Sequence, residues 1–136
     1  KATTSTSPHL AYLSKLPQRG KIVAEYVWVD GLLGMRSKSR TLPAKVASLD
    51  EIPRWDMDGS SCFLSFSEFS EIILEPVFYF SDPFRGGDNI IVLCETFTWA
   101  DQELSALVPC NTNFRYFAKQ VFAVAPDERP WFGIEQ

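Results

Sequence analysis

Lys21-Ile22-Val23-Ala24-Glu25-Tyr26-Val27-Trp28-Val29-Asp30 is the stretch on which the fold turns. Its β-branched and aromatic residues read as a strand, and nearly every position is apolar, which predicts a strand buried on both faces. Gly31 to Gly34 supply a turn. Arg36–Leu42 then alternates basic and small residues, as the return strand of a hairpin does, and places Arg36, Lys38 and Arg40 on one face. That basic row reads as an anion patch, as a solvated strand face, or as partners for Asp and Glu.

Working outward, Pro43 to Pro53 is a connector, and Arg54–Met57 is a short strand leading into the turn Asp58-Gly59-Ser60-Ser61. Ser70–Phe80 is a strand in which Pro76 marks an edge or a bulge. Asp82-Pro83-Phe84-Arg85 reads as turn chemistry with one buried aromatic, ahead of Gly86-Gly87. Asn89–Thr98 is a further strand of β-branched residues. Asn113–Ala123 is a helix capped by Asn113, with Phe114, Phe117, Val121 and Phe122 as its apolar face. Trp131–Gln136 reads as the opening of another strand. Before all of these, Ser7-Pro8 opens a short helix with Leu10, Leu13 and Leu16 on one face. Strands dominate, so the class is α+β, a small mixed sheet with one or two short helices.

The 136 residues fit one domain. A net charge of −4 gives no electrostatic reason to expect nucleic acid. Three cysteines, Cys62, Cys94 and Cys110, lack C-x-x-C spacing, which argues against a disulfide framework or a zinc site and fits a reducing compartment. The single histidine, His9, reads as a surface residue of the N-terminal arm. No apolar run approaches the roughly 18 residues that span a bilayer. Ala2 to Ser7 are small and hydroxylated, a composition also found in transit peptides.

Several segments, in order, resemble the eukaryotic-type glutamine synthetase family. Leu16-Pro17-Gln18 with Ala24-Glu25-Tyr26-Val27-Trp28-Val29-Asp30-Gly31 is similar to its first strand, and Arg36-Ser37-Lys38-Ser39-Arg40 to the return strand. Trp55 with Asp58-Gly59-Ser60-Ser61, then Asp82-Pro83-Phe84-Arg85, Thr112-Asn113 with Arg115, and Trp131-Phe132-Gly133-Ile134-Glu135-Gln136 continue the resemblance. The resemblance implies an N-terminal β-grasp-like domain over residues 21–125, an arm with a short helix over 1–20, and the start of a catalytic domain over 126–136. It covers about a third of a family member.

The family's reaction joins ammonia to glutamate at the expense of ATP, with Mg²⁺ or Mn²⁺ holding the phosphates and the carboxylate. By resemblance, Asp58 and Ser61 belong to an ammonium site that completes the active site of a neighbouring subunit. A carboxylate there binds the cation and assists its deprotonation. Spacing alone says only that Asp58-Gly59 is a turn with a serine capping local backbone. By resemblance, Glu135 is a metal ligand whose partner carboxylate lies two residues further on, and Trp131 lines the nucleotide side. No P-loop or G-x-G-x-x-G run is present.

Departures from the family pattern are specific. Asp56 and Met57 stand where Asn and Tyr are usual, Phe69 replaces an aspartate, and Cys110-Asn111 separates Pro109 from Thr112. Cys62–Phe69 has neither Gly nor Pro, so Phe63, Leu64, Phe66 and Phe69 form an apolar stretch that either meets a partner or membrane surface or folds onto the domain's own sheet. Two functional expectations follow. One is a ligase subunit that binds neither ATP nor metal and is inactive as this chain alone. The other is a non-catalytic structural or binding subunit of a larger assembly, at a membrane or in solution. Partners are other protein subunits, in a homo-oligomeric ring or a hetero-assembly, and the compartment is cytoplasm or chloroplast stroma.

Overall fold

Alternation decides how the first strand is used. In β1 (Ile22–Val29) one residue in two is buried and the others are half-buried. The strand therefore has one core face rather than the two that its composition predicts. Its outer face has no second layer above it among the described residues, so Val23, Val27 and Val29 keep partial contact with solvent. The computed structural model describes residues 16–65, 70–101 and 103–135. The Ser7–Leu16 helix, apart from Leu16, and His9 lie outside them.

β1 turns back into β2 (Met35–Leu42), pairing antiparallel from Ile22 with Leu42 to Val29 with Met35. Asp30 builds the turn. Its Oδ1 accepts from the Leu32 and Gly34 amides at 2.9 and 2.7 Å, and its Oδ2 accepts from Arg36 Nε at 2.8 Å. Arg36 is thus an ion-pair partner of a buried carboxylate. The remaining strands are β3 (Trp55–Asp58), β4 (Glu71–Ser81), β5 (Ile90–Trp99) and β6 (Leu107–Pro109). They complete a mixed sheet of order β2-β1-β5-β4-β3, with β6 added along β5. β1 and β5 run parallel at the centre, and every other pair is antiparallel. A parallel central pair flanked by antiparallel neighbours is the β-grasp-like α+β sheet that the sequence predicts.

The sheet curls on itself. β2 and β3 stand at opposite ends of the strand order, yet Lys38 Nζ sits 3.5 Å from the centroid of the Trp55 ring and donates to the Asp56 carbonyl. Arg40 lies over the same indole at 5.1 Å. Tyr26 closes the seam from inside, edge-on to Trp55 at 5.3 Å, with its hydroxyl donating to the Pro53 carbonyl at 2.7 Å. The basic row is therefore spent on Asp30 and on an aromatic face rather than left as a free anion patch. Ile22, Ala24, Tyr26, Leu74, Ile90 and Val92 fill the hollow, closed by Leu42, Val46, Ile52 and Cys62.

Pro76, which has no amide to give the ladder, coincides with a bulge between Pro76 and Phe78. The extra residue changes which side chains face inward. Ile72 and Leu74 are buried before it, Tyr79 packs on the core after it, and Phe78 and Phe80 are exposed. Beyond β6, the helix α1 (Phe114–Val124) starts at Asn113, whose side chain accepts from the Tyr116 amide at 3.3 Å. None of its residues is buried. Tyr116 meets Phe97 edge-on at 5.9 Å, but Phe114, Phe117, Val121 and Phe122 remain exposed.

Two further expectations are corrected. Phe84 is not a buried aromatic: it is 87% exposed. The Asp82 carboxylate ties the turn through the Phe84 and Arg85 amides and the Arg85 guanidinium, which points the Phe84 ring outward. Residues 131–135 form no strand, because no partner strand lies beside them among the described residues, and Gln136 is outside those residues. No helix among the described residues is long and apolar enough to cross a membrane.

Candidate functional site

Asp58 is the last residue of β3 and pairs with Glu71 across the edge of the sheet. It is exposed at the rim. The chain turns sharply after it because Gly59 is pressed against β4: a side chain at Gly59 would stand 2.4 Å from Ile72 Cγ1. The Gly59 amide donates to the Ser70 carbonyl at 2.6 Å. Its own carbonyl gathers the amides of Cys62 and Leu64 at 3.2 and 3.0 Å. A single peptide group thereby winds residues 60–62 into a 3₁₀ turn.

Within this turn the Ser60 amide donates to Asp58 Oδ1 at 2.9 Å, and the Ser61 hydroxyl donates to the Asp58 carbonyl at 3.1 Å. Hydrogen bonds from Ser60, side chain and amide, with help from Ser70, hold the Asp58 carboxyl below the usual aspartate range. Asp58 is therefore a fixed anion at neutral pH, displayed to solvent and suited to meeting a cation. Asp58 and Ser61 share this turn, and Ser61 holds the backbone of Asp58 and not its carboxylate.

The loop also leans on a distant element. The Gly31 amide donates to the Cys62 carbonyl at 2.9 Å, and a side chain at Gly31 would fall 1.8 Å from the Phe63 carbonyl oxygen. Sequence reasoning sees Gly31 only as a turn residue. A contact between backbones 32 positions apart leaves no periodicity in either segment, so nothing in the sequence reveals it.

The apolar stretch divides. Cys62 is buried, Leu64 packs on the core, and Phe63, in the left-handed region at φ 58°, is 42% exposed. Phe66 and Phe69 lie outside the described residues. A cleft of about 260 Å³ beside the loop is lined by Gly31, Leu32, Phe63, Leu64, Asn111 and Thr112.

Trp131 and Glu135 stand apart from Asp58. Trp131 is 97% exposed, and Glu135 is exposed near the end of the chain. Among the described residues no three His, Cys, Asp or Glu side chains come together as a metal-holding group. The donor groups among the described residues do not by themselves make a divalent-metal site. The cysteines are unpaired, and burial pushes the Cys94 thiol up to about 12 and raises that of Cys110, which makes neither a nucleophile.

Fold and loop together define a class: a small β-grasp-like α+β domain that keeps its core inside a curled sheet and presents an acidic turn at the rim. No family model matches the chain. It is 45% identical over 122 residues to the glutamine synthetase of Saccharomyces cerevisiae, covering 90% of this chain and 31% of that one. It is 47% identical over 130 residues to the glutamine synthetase of Hebeloma cylindrosporum, covering 96% and 34%. Against that of Agaricus bisporus it is 44% identical over 135 residues, covering 99% and 36%. The chain is homologous to glutamine synthetases and corresponds to their N-terminal region. It spans about a third of the length of these relatives.

Proposed function

We propose that this chain supplies the ammonium-facing loop of an ATP-dependent glutamate–ammonia ligase and has no turnover by itself. The observation that carries this reading is Asp58: an ionised, exposed carboxylate at a strand end, fixed by Ser60 and leaving the solvent side open. Such a group binds ammonium by charge and assists the loss of its proton as the amine forms. Ser61 fixes the backbone beneath it. The cleft is completed by another protein subunit, in a ring of like subunits. Glu135 and Trp131 contribute to the metal and nucleotide sides only when further residues stand around them. Three free thiols suit the reducing interior of the cytosol or the stroma.

The test is an assay of the purified chain for γ-glutamyl transfer with Mg²⁺, ATP, glutamate and ammonium. No turnover is expected, and measurable turnover overturns the inactive reading. A second reading, a non-catalytic structural or binding subunit, is favoured by the outward Phe63 and by the exposed row on α1. The intact mass of the native protein separates the two. A mass about three times that of this chain, as the coverage of its relatives suggests, supports the ligase subunit. An equal mass supports the structural one.

A further inference from the structure

We propose that Gly31, in the turn between β1 and β2, is the positioning residue of the Asp58–Ser61 loop. The proposal extends the ammonium-loop reading, because it concerns what places that loop.

Two contacts act at one point. The Gly31 amide holds the Cys62 carbonyl at 2.9 Å, and the absent side chain lets the Phe63 carbonyl approach to where a Cβ would be 1.8 Å away. Real Cβ atoms do not come within 3.0 Å of such a neighbour, so any side chain displaces the Phe63 peptide by more than an ångström. Phe63 is already in the left-handed region and is followed by Leu64, which is anchored in the core. The Phe63 peptide is thus held between Cys62, buried in the core, and Leu64, packed against it, and its displacement strains the short turn that begins with the Ser60 amide, the group that fixes Asp58.

The turn that carries Gly31 is itself immobilised. The buried Asp30 carboxylate holds the Leu32 and Gly34 amides and Arg36, and the Asp30 amide donates to the Gly34 carbonyl at 2.8 Å. The requirement for glycine here arises from close approach, since Gly31 is not among the residues with positive φ. Gly133 has nothing within 4 Å of an added Cβ and no positive φ, and serves as the control.

The experiment follows the Asp58 carboxyl carbon against pH, and the Ser60 and Ser61 amides, by NMR of the 136-residue chain. In Gly31→Ala the Asp58 midpoint moves up toward the ordinary aspartate value, and the Ser60 amide signal shifts. The amides of β4 and β5 stay protected, and Gly133→Ala changes nothing at Asp58. An unchanged Asp58 midpoint in folded Gly31→Ala overturns the proposal. Because that variant strains the fold, hydrogen exchange of the unmodified chain gives a second decision. The Gly31 amide exchanges slowly and opens together with the Cys62 and Leu64 amides as urea rises. A Gly31 amide exchanging at the rate of an unfolded peptide overturns the proposal as well. Neither readout uses turnover or mass, so a native mass equal to that of this chain, which removes the ligase-subunit reading, leaves this result standing.

Discussion

The curled sheet and the segment after β6 are each patterned with an apolar face, one at strand period and one at helix period, and end in opposite states. Inside the sheet, Tyr26, Ile72, Leu74 and Val92 are withdrawn from water. On α1 a row of equally apolar residues stays in solvent, and Trp131, Phe132 and Ile134 beyond it are exposed too. The difference lies in available surface. The sheet makes its own opposing surface by curling until Lys38 reaches Trp55, whereas α1 touches the sheet mainly through Tyr116 on Phe97 and through Arg115, 3.4 Å from Glu95. Amphipathic pattern says which face prefers burial, and only tertiary neighbours say whether it is buried.

The strongest way to break this comparison is to truncate one side chain in each region. Leu74→Ala removes a fully buried side chain and is expected to cost about 2–5 kcal/mol, including the cavity left behind. Phe117→Ala removes a larger but half-exposed one and is expected to stay within about 0.5 kcal/mol. Urea unfolding of both variants checks the contrast. Equal losses would mean that α1 is part of the cooperative core.

A smaller effect is expected at the turn that presents Phe84. Burial alone would raise the Asp82 carboxyl, but the Arg85 guanidinium and the Phe84 and Arg85 amides outweigh it and hold it below the usual range. A depressed native value means that the stabilisation is complete above the unfolded aspartate value of about 3.9 and is lost as pH falls through the native value. Thermal stability should therefore be level from neutral pH down to about pH 5 and fall below about pH 4. Asp82→Asn should lose about 1–3 kcal/mol at pH 7, since it unpairs a buried acceptor, and should flatten the acid slope. An unaltered slope would assign the acid sensitivity elsewhere, with Asp30 the next carboxylate to test, held down chiefly by Arg36.

How much was legible follows the same division. The β1–β2 hairpin, the bulge at Pro76 and the Asn113 cap were readable because each is fixed by residues close in sequence. β6 was missed because a three-residue strand carries no period. The double burial of β1 and the inward turn of Phe84 were misjudged because both depend on a second layer that composition cannot reveal. At the candidate site, the turn after Asp58 was plain from Asp-Gly-Ser-Ser, but its chemical meaning came from family resemblance alone. Gly31 was invisible because contacts between separate elements are not written in either one.

The smallest expected effect tests the seam that makes the sheet differ from the helix. Lys38 gives its ammonium group to the Trp55 ring and the Asp56 carbonyl, and its desolvation lowers its proton affinity. Lys38→Met keeps the aliphatic length and removes the charge, so the ring keeps its packing and loses its cation. The expected cost is about 0.5–1 kcal/mol for a partly exposed contact of this kind. Trp55 fluorescence should shift with the substitution, because the charge beside the indole is gone, while far-ultraviolet circular dichroism stays level. A variant that unfolds would mean that the ion holds the curl closed. A variant with no change in either stability or fluorescence would mean that Tyr26 and Trp55 close the sheet by themselves, and that the charge on β2 is incidental to the hollow in which the core resides.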